Sequence, residues 1–312
     1  MKLNTLNKTL AALAVSTAMF SATQAAAESI TVGYFLEWPM PFEYAKQMGT
    51  YKKEMGVDIN WVSFESGVKM SAAMASGDVQ LSVSQGVPPF VVATSAGQDL
   101  QMLDVAVSYA DNDNCVVRAE LEIDKTNAGE LVGKKVAVPL GTAAHYGFLR
   151  QMSHFGVDVA SMDAQDSVAM FCGWGGSLRR ALEHGNVLMS GAEKTDLGIL
   201  VFDVTSGPAD WVAENGDLVA KFLKVTADAN LMWADPANHA EMLPLIAKDA
   251  GMDEAATAET MATFTFPTME DQLSEKWFGG GAQTFMKGVA DVFVQAGSIN
   301  GALDTYESNV NT

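Results

Sequence analysis

The sequence predicts an α/β fold of two doubly wound lobes joined by crossing strands, with a cleft between them. Three observations predict it. Strand-like and helix-like stretches alternate at short spacing from residue 29 to about 110, the signature of a mostly parallel sheet covered by crossover helices. A second strand–helix set begins near residue 134, with no low-complexity linker before it. Beyond about Glu214 the chain reads as helical to its end.

The elements follow in order. SITVGYFLEW (29–38) reads as a strand entering a loop, and PFEYAKQMGTYKKEMG (41–56) as one helix stopped at Gly56. VDINWVSFE (57–65) alternates like a strand, and GVKMSAAMASGD (67–78) is a helix ended by Gly77. VQLSVSQ (79–85) is a strand, VPPFVVATSAG (87–97) a helix opened by its prolines, and LQMLDVAVSY (100–109) a strand again. DNDNCVVR (111–118) and VFDVTSGPADW (201–211) are the candidate crossings between lobes. The expected boundaries are a leader at 1–27, the first lobe at 28–112, the second lobe at 113–212, and a helical return at 213–312 that packs on the first lobe.

Composition bounds the function. The chain has 312 residues, 48% apolar, enough for about two domains with buried cores. Its formal charge is −19, dispersed along the chain, which argues against nucleic acid or an anionic membrane surface as partner. Lys2 and Lys8 precede the apolar stretch Leu10–Phe20, and small residues follow, so residues 1–27 are expected to be a cleavable secretory signal ending at Ala27. Its removal takes out two lysines and no acid, and −19 becomes −21. No lipidation cysteine follows, so an exported protein free in solution is expected. The two cysteines, Cys115 and Cys172, read either as one disulfide, as an exported even pair suggests, or as two buried thiols. If their strands are neighbours, a bridge is expected.

Four stretches carry a family resemblance: FESGVKMSAAMASGDVQLSVSQGVPPFVVA, LVGKKVAVPLGTAAHYGFL, GWGGSLRRALEHGNVL and LVFDVTSGPADWVAENGDLVAKFL. In this order and spacing they resemble the periplasmic solute-binding proteins of ABC importers for taurine and related sulfonates, a branch of the type II periplasmic-binding-protein fold. There is one departure. Only VDVASMDAQDSVAM lies before the FCGW strand, where the family usually has a longer βα insertion, so the second lobe is expected to be short of a helix.

The resemblance implies a small ligand in the cleft and gives roles to particular residues. In PLGTAAHYGFL, Gly141 permits a sharp turn and Thr142 is a good N-cap, while Ala143, Ala144 and His145 offer N–H groups at a positive helix end, an anion seat for a sulfonate. Thr142 is expected to add its hydroxyl. The bland alternatives are that Thr142 caps its own helix and that His145 is an ordinary packed histidine. Asp203 lies in an apolar strand, where a charge needs a partner, and is the carboxylate expected to meet a taurine-like ammonium. Glu37 and Trp38 end the first strand, and Trp174 precedes Gly175 and Gly176, which are expected to leave room for its ring. Gln85 and Gly86, with Ser84 beside them, form a second donor-rich turn.

Other chemistries have less support. Cys172, His145 and Asp203 are not ordered by any nucleophile-elbow motif. His145, His154, His184 and His239 have no metal-ligand spacing, and the glycines at 279–281 follow no strand and precede no Lys-Ser/Thr pair. The expectation is therefore a monomeric periplasmic binding protein without catalysis, cofactor or metal. It would capture taurine or a related sulfonate and deliver it to the membrane subunits of an importer. Nitrate, bicarbonate or a small amine are alternative ligands, and an enzyme of pyrimidine or thiamine-precursor metabolism is the alternative class.

Overall fold

The structure is a computed structural model that describes residues 29–162, 168–199 and 201–311. The expected signal at 1–27 lies outside the described residues, as do residues 163–167 of the shortened segment.

Two sheets form the two lobes. The strands are β1 (Ser29–Phe35), β2 (Asp58–Phe64), β3 (Leu81–Gly86), β4 (Leu100–Tyr109), β5 (Asp113–Arg118), β6 (Lys135–Ala137), β7 (Val168–Trp174), β8 (Gly185–Val187) and β9 (Val201–Pro208). The first sheet has the order β2-β1-β3-β9-β4 and the second β6-β7-β5-β8. β1 runs parallel to β2 and β3, joined by crossover helices, as the alternating pattern predicts.

Both sheets are less parallel than expected. β9 enters antiparallel between β3 and β4, and β5 is antiparallel to β7 and β8. The reason is the crossing itself: a strand arriving from the other lobe meets its new neighbours from the opposite end. β9 is fully buried and belongs to the first sheet, so the chain is back in the first lobe by Val201, ahead of the boundary expected at 212.

Local chemistry explains the helices. The stretch 41–56 is two helices, Pro41–Gln47 and Thr50–Met55, because Gly49 takes a φ of 68° that breaks the ladder. Ser66 caps the helix Gly67–Ala75, and Pro88 and Pro89 sit in the first turn of the helix Val87–Ser95. Between β6 and β7 the helix Ala143–His154 makes the crossover of the second lobe, and the short 3-10 turn Val159–Ser161 follows it in the shortened segment.

The core follows the lobes and joins them. Ile30, Val32, Leu81, Val83 and Val107 pack with Tyr51 and Phe222 under the first sheet. Val117, Tyr146, Met152 and Met170 pack in the second lobe, in one cluster with Phe202, Phe285 and Phe293. The last long helix, Gly281–Gln295, packs on both the helix Val87–Ser95 and the helix Ala143–His154, so the helical return touches both lobes rather than the first alone. Cys115 and Cys172 face each other on β5 and β7 and are joined by a disulfide, with Cα atoms 4.0 Å apart. They occupy directly paired positions of the antiparallel β5–β7 ladder.

Candidate ligand-binding site

A cavity of about 30 Å³ lies between the lobes. The first lobe contributes Phe35, Trp38, Gly67, Gly86, Pro89, Tyr109 and Asp203, and the second contributes Asp113, Thr142, Ala143 and Trp174. The strand ends of β1, β3, β4 and β7 converge here, which is where an open α/β sheet places a ligand. The volume is on the order of two water molecules, so a larger ligand needs the lobes or the lining side chains to move apart.

Asp203 is the best-built polar group. It is 3% exposed, and Ser84 Oγ and Tyr109 Oη donate to its two oxygens at 2.7 and 2.8 Å. Burial pushes its carboxyl up to about 7, against the pull of these hydrogen bonds. Ser84 Oγ also accepts from Trp38 Nε1 at 2.9 Å, so Trp38, Ser84 and Asp203 form a chain. Ser84 holds a φ of 63°, a strained conformation for a residue with a side chain. Trp38 meets Tyr109 edge-on, with ring centroids 4.9 Å apart, and the two rings make a corner of the cavity. Burial raises the Tyr109 hydroxyl well above its ordinary value, so it stays protonated as a donor.

The helix start differs from the expectation. Thr142 Oγ1 donates to Pro139 O at 2.7 Å and accepts from His145 N at 3.3 Å. Its proton is committed to the protein, so the hydroxyl caps its own helix, as the bland alternative has it. His145 does not line the cavity. Its Nδ1 accepts from Gly141 N at 3.2 Å, its ring stacks on Phe293, and burial lowers its pKa. Ala144 is buried in the core cluster. What remains at this end are the N–H groups of Ala143 and Ala144, the first of the helix and without intrahelical carbonyl partners.

Three more expected residues are sorted by geometry. Gln85 is fully buried away from the cavity: its amide donates to Gly67 O and Ser71 Oγ, and its carbonyl accepts from Ser206 Oγ. Gly86 does line the cavity, and a Cβ there would stand 3.5 Å from Asp203 Oδ1. Glu37 lies outside the cavity. Its Oε2 accepts the Gly176 N–H at 2.7 Å, so it caps the helix Gly175–Leu182 of the opposite lobe, with Arg179 at 3.8 Å. A Cβ at Gly176 would fall 2.2 Å from that oxygen. Gly176 therefore makes room for Glu37, not for the Trp174 ring.

Sequence reasoning missed Phe35, Tyr109, Asp113, Gly67 and Pro89. Tyr109 and Asp113 flank the first crossing, so the crossing was the signal that could have found them.

No family model matches the chain. The taurine-binding periplasmic protein of Escherichia coli (strain K12) is 26% identical over 292 residues, which is 88% of each chain. The alkanesulfonate-binding protein of Xanthomonas axonopodis pv. citri, solved with MOPS bound, superposes with a TM-score of 0.73 at 18% identity, covering 92% of this chain and 99% of that one. The chain has the periplasmic-binding-protein fold. The periplasmic aliphatic sulphonate binding protein of Escherichia coli shares it with a TM-score of 0.70 at 19% identity over 89% and 96% of the two chains. So does the periplasmic nitrate-binding protein of Synechocystis PCC 6803, at 0.69 and 12% over 89% and 83%. The resemblance carried by the four sequence stretches is borne out, and these relatives are binding proteins rather than enzymes.

Proposed function

We propose that this protein captures a small zwitterion bearing an ammonium and a sulfonate, with taurine the foremost candidate. It would do so in the periplasm and hand the ligand to the membrane subunits of an ABC importer. The near full-length similarity to a taurine-binding protein supports this. The observation that carries the reading is Asp203, a buried carboxylate opening on a cavity walled by Trp38, Tyr109 and Trp174. No lysine or arginine is among the lining residues. An ammonium matches a desolvated carboxylate and aromatic faces. A bare anion such as nitrate or bicarbonate would gain nothing from Asp203 and would be repelled by it in its ionised form. The sulfonate then rests on the Ala143 and Ala144 N–H groups at the positive helix end.

A second reading is a small amine with no anionic end. It is favoured by the commitment of the Thr142 hydroxyl to Pro139, which leaves the anion seat with backbone donors alone. Thermal unfolding with taurine, ethanesulfonate, propylamine, nitrate and bicarbonate tests the proposal. A true ligand at 100 times its Kd stabilises by roughly 2.7 kcal/mol. Stabilisation by taurine supports the zwitterion. Stabilisation by propylamine alone supports the amine, and stabilisation only by nitrate, bicarbonate or ethanesulfonate contradicts both.

A further inference from the structure

The cavity holds a second carboxylate. Asp113 opens β5, pairs in register with Trp174 on β7, and lines the cavity opposite Asp203. It is 5% exposed, yet no described residue donates a hydrogen bond to its carboxylate. Asp113 lines the cavity with no donor among the described residues, whereas the oxygens of Asp203 are held by Ser84 and Tyr109. A carboxylate largely removed from water gains from a ligand that supplies a donor.

The charge around it is countable. From the helix Gly191–Asp196 comes Lys194, 2% exposed, whose Nζ donates to Ala110 O and Asp113 O, both at 2.6 Å. From β9 comes Asp203 and from β4 the neutral Tyr109. Asp111 does not line the cavity; its Oδ1 accepts from Gly191 N, and its charge is felt at Lys194. Glu37 and Arg179 lie outside the cavity, and the His145 ring is stacked away on Phe293. Among Asp113, Asp203 and Lys194 alone, with both carboxylates ionised, the charge is −1, and one ligand ammonium or one proton balances these three groups.

We propose that Asp113 and Asp203 form a dicarboxylate seat that shares one proton in the empty protein and releases it to solvent when a ligand's ammonium enters, which makes Asp113 a specificity-determining residue for the cationic end. The inference rests on the zwitterion reading and adds the second carboxylate and the proton exchange to it. Burial raises both carboxyls from their ordinary range, while Lys194 pulls Asp113 back down and Asp203 pushes it up, as such an exchange requires.

Calorimetry at pH 7 in buffers of different ionisation enthalpy counts the protons. Taurine binding by the wild-type protein is expected to release between about half and one proton, and affinity is expected to fall up to about tenfold per pH unit below neutrality. Asp113→Asn is expected to abolish most of that release, to weaken taurine by at least about tenfold, and to narrow the preference for taurine over ethanesulfonate. Neither melting nor circular dichroism would reproduce this change of selectivity from a merely structural role. Taurine binding with no proton release overturns the proposal, as does unchanged selectivity in a folded Asp113→Asn; in both cases the zwitterion reading stands on Asp203. A wild-type protein that binds ethanesulfonate as tightly as taurine removes the zwitterion reading and the seat with it. Should Asp113→Asn not fold, the wild-type proton count decides alone.

Discussion

Glu37 Oε2 accepts the Gly176 N–H at 2.7 Å, and the two residues belong to opposite lobes. Glu37 reaches across by holding a φ of 55°, with its own N–H bonded to Ala250 O at 2.7 Å. A non-glycine residue in that conformation stores on the order of 1 kcal/mol or more. The contact acts as a latch between the two lobes and lies outside the cavity.

Glu37→Gln keeps the shape and removes the charge at the helix end. The side chain is 46% exposed, so the loss is modest, about 1 kcal/mol or less. Small-angle scattering of the empty variant should show a larger radius of gyration than wild type. Bulk at position 176 has the same direction, because Gly176→Ala would drive a Cβ into the Glu37 carboxylate. An unchanged radius in both variants contradicts the latch.

Thr142 caps the helix that presents Ala143 to the cavity, so Thr142→Val should lower stability by about 1 kcal/mol. Thr142→Ser keeps the cap and should restore it. Denaturant unfolding measures both. A Thr142→Val protein with wild-type stability and lost sulfonate affinity would return the hydroxyl to the ligand.

The disulfide closes a sequence separation of 57 residues. Chain-entropy arguments give roughly 4 kcal/mol for a loop of that length, and measured effects are commonly about 2–4 kcal/mol. The Cys115→Ala/Cys172→Ala double variant is expected to lose stability in that range in urea unfolding. Titration of the denatured, unreduced protein should find no free thiol, and two per chain would contradict the bridge.

Asp203 links stability to pH. Its folded pKa is raised to about 7, while an unfolded aspartate ionises near 4. Between these values the native state retains a proton that the unfolded chain has released. The group's contribution to stability therefore falls as pH rises from about 4 to 7, and the full penalty is present at pH 8. Asp203→Asn removes it. The empty variant should be more stable than wild type at pH 8, by more than about 1.4 kcal/mol, the equivalent of one pKa unit, with little gain at pH 4. A uniform loss at both pH values contradicts this account.

The alternating pattern of residues 29–109 revealed the first lobe because strand-like runs alternate with helices that open at Ser66 or at Pro88 and Pro89 and stop near glycines such as Gly56 and Gly77. Strand direction was harder to read. β9 and β5 read as strands like the others, and nothing local records that they arrive from the opposite lobe. At the site, Trp38, Gly86, Thr142, Ala143, Trp174 and Asp203 were legible from their places at strand ends and helix starts, and they do meet at one cavity. Gln85 and His145 do not line the cavity: sequence shows a polar side chain but not which partners have already claimed it. Glu37 lies outside the cavity, and an acid at a strand end looks alike in sequence whether it faces a ligand or a helix end of the other lobe. Asp113 went unseen in an acidic stretch where surface charge is the ordinary explanation.

The central claim is that Asp203 holds the cationic end of a zwitterion. Calorimetric titration of wild type and Asp203→Asn with taurine and with ethanesulfonate tests it most directly. Wild type should prefer taurine, and the variant should lose about 2–5 kcal/mol of taurine affinity, as when one partner of a buried charge pair is removed. Ethanesulfonate affinity should hold or rise in the variant. Equal binding of the two ligands by wild type, or a variant that binds taurine undiminished, would contradict the account.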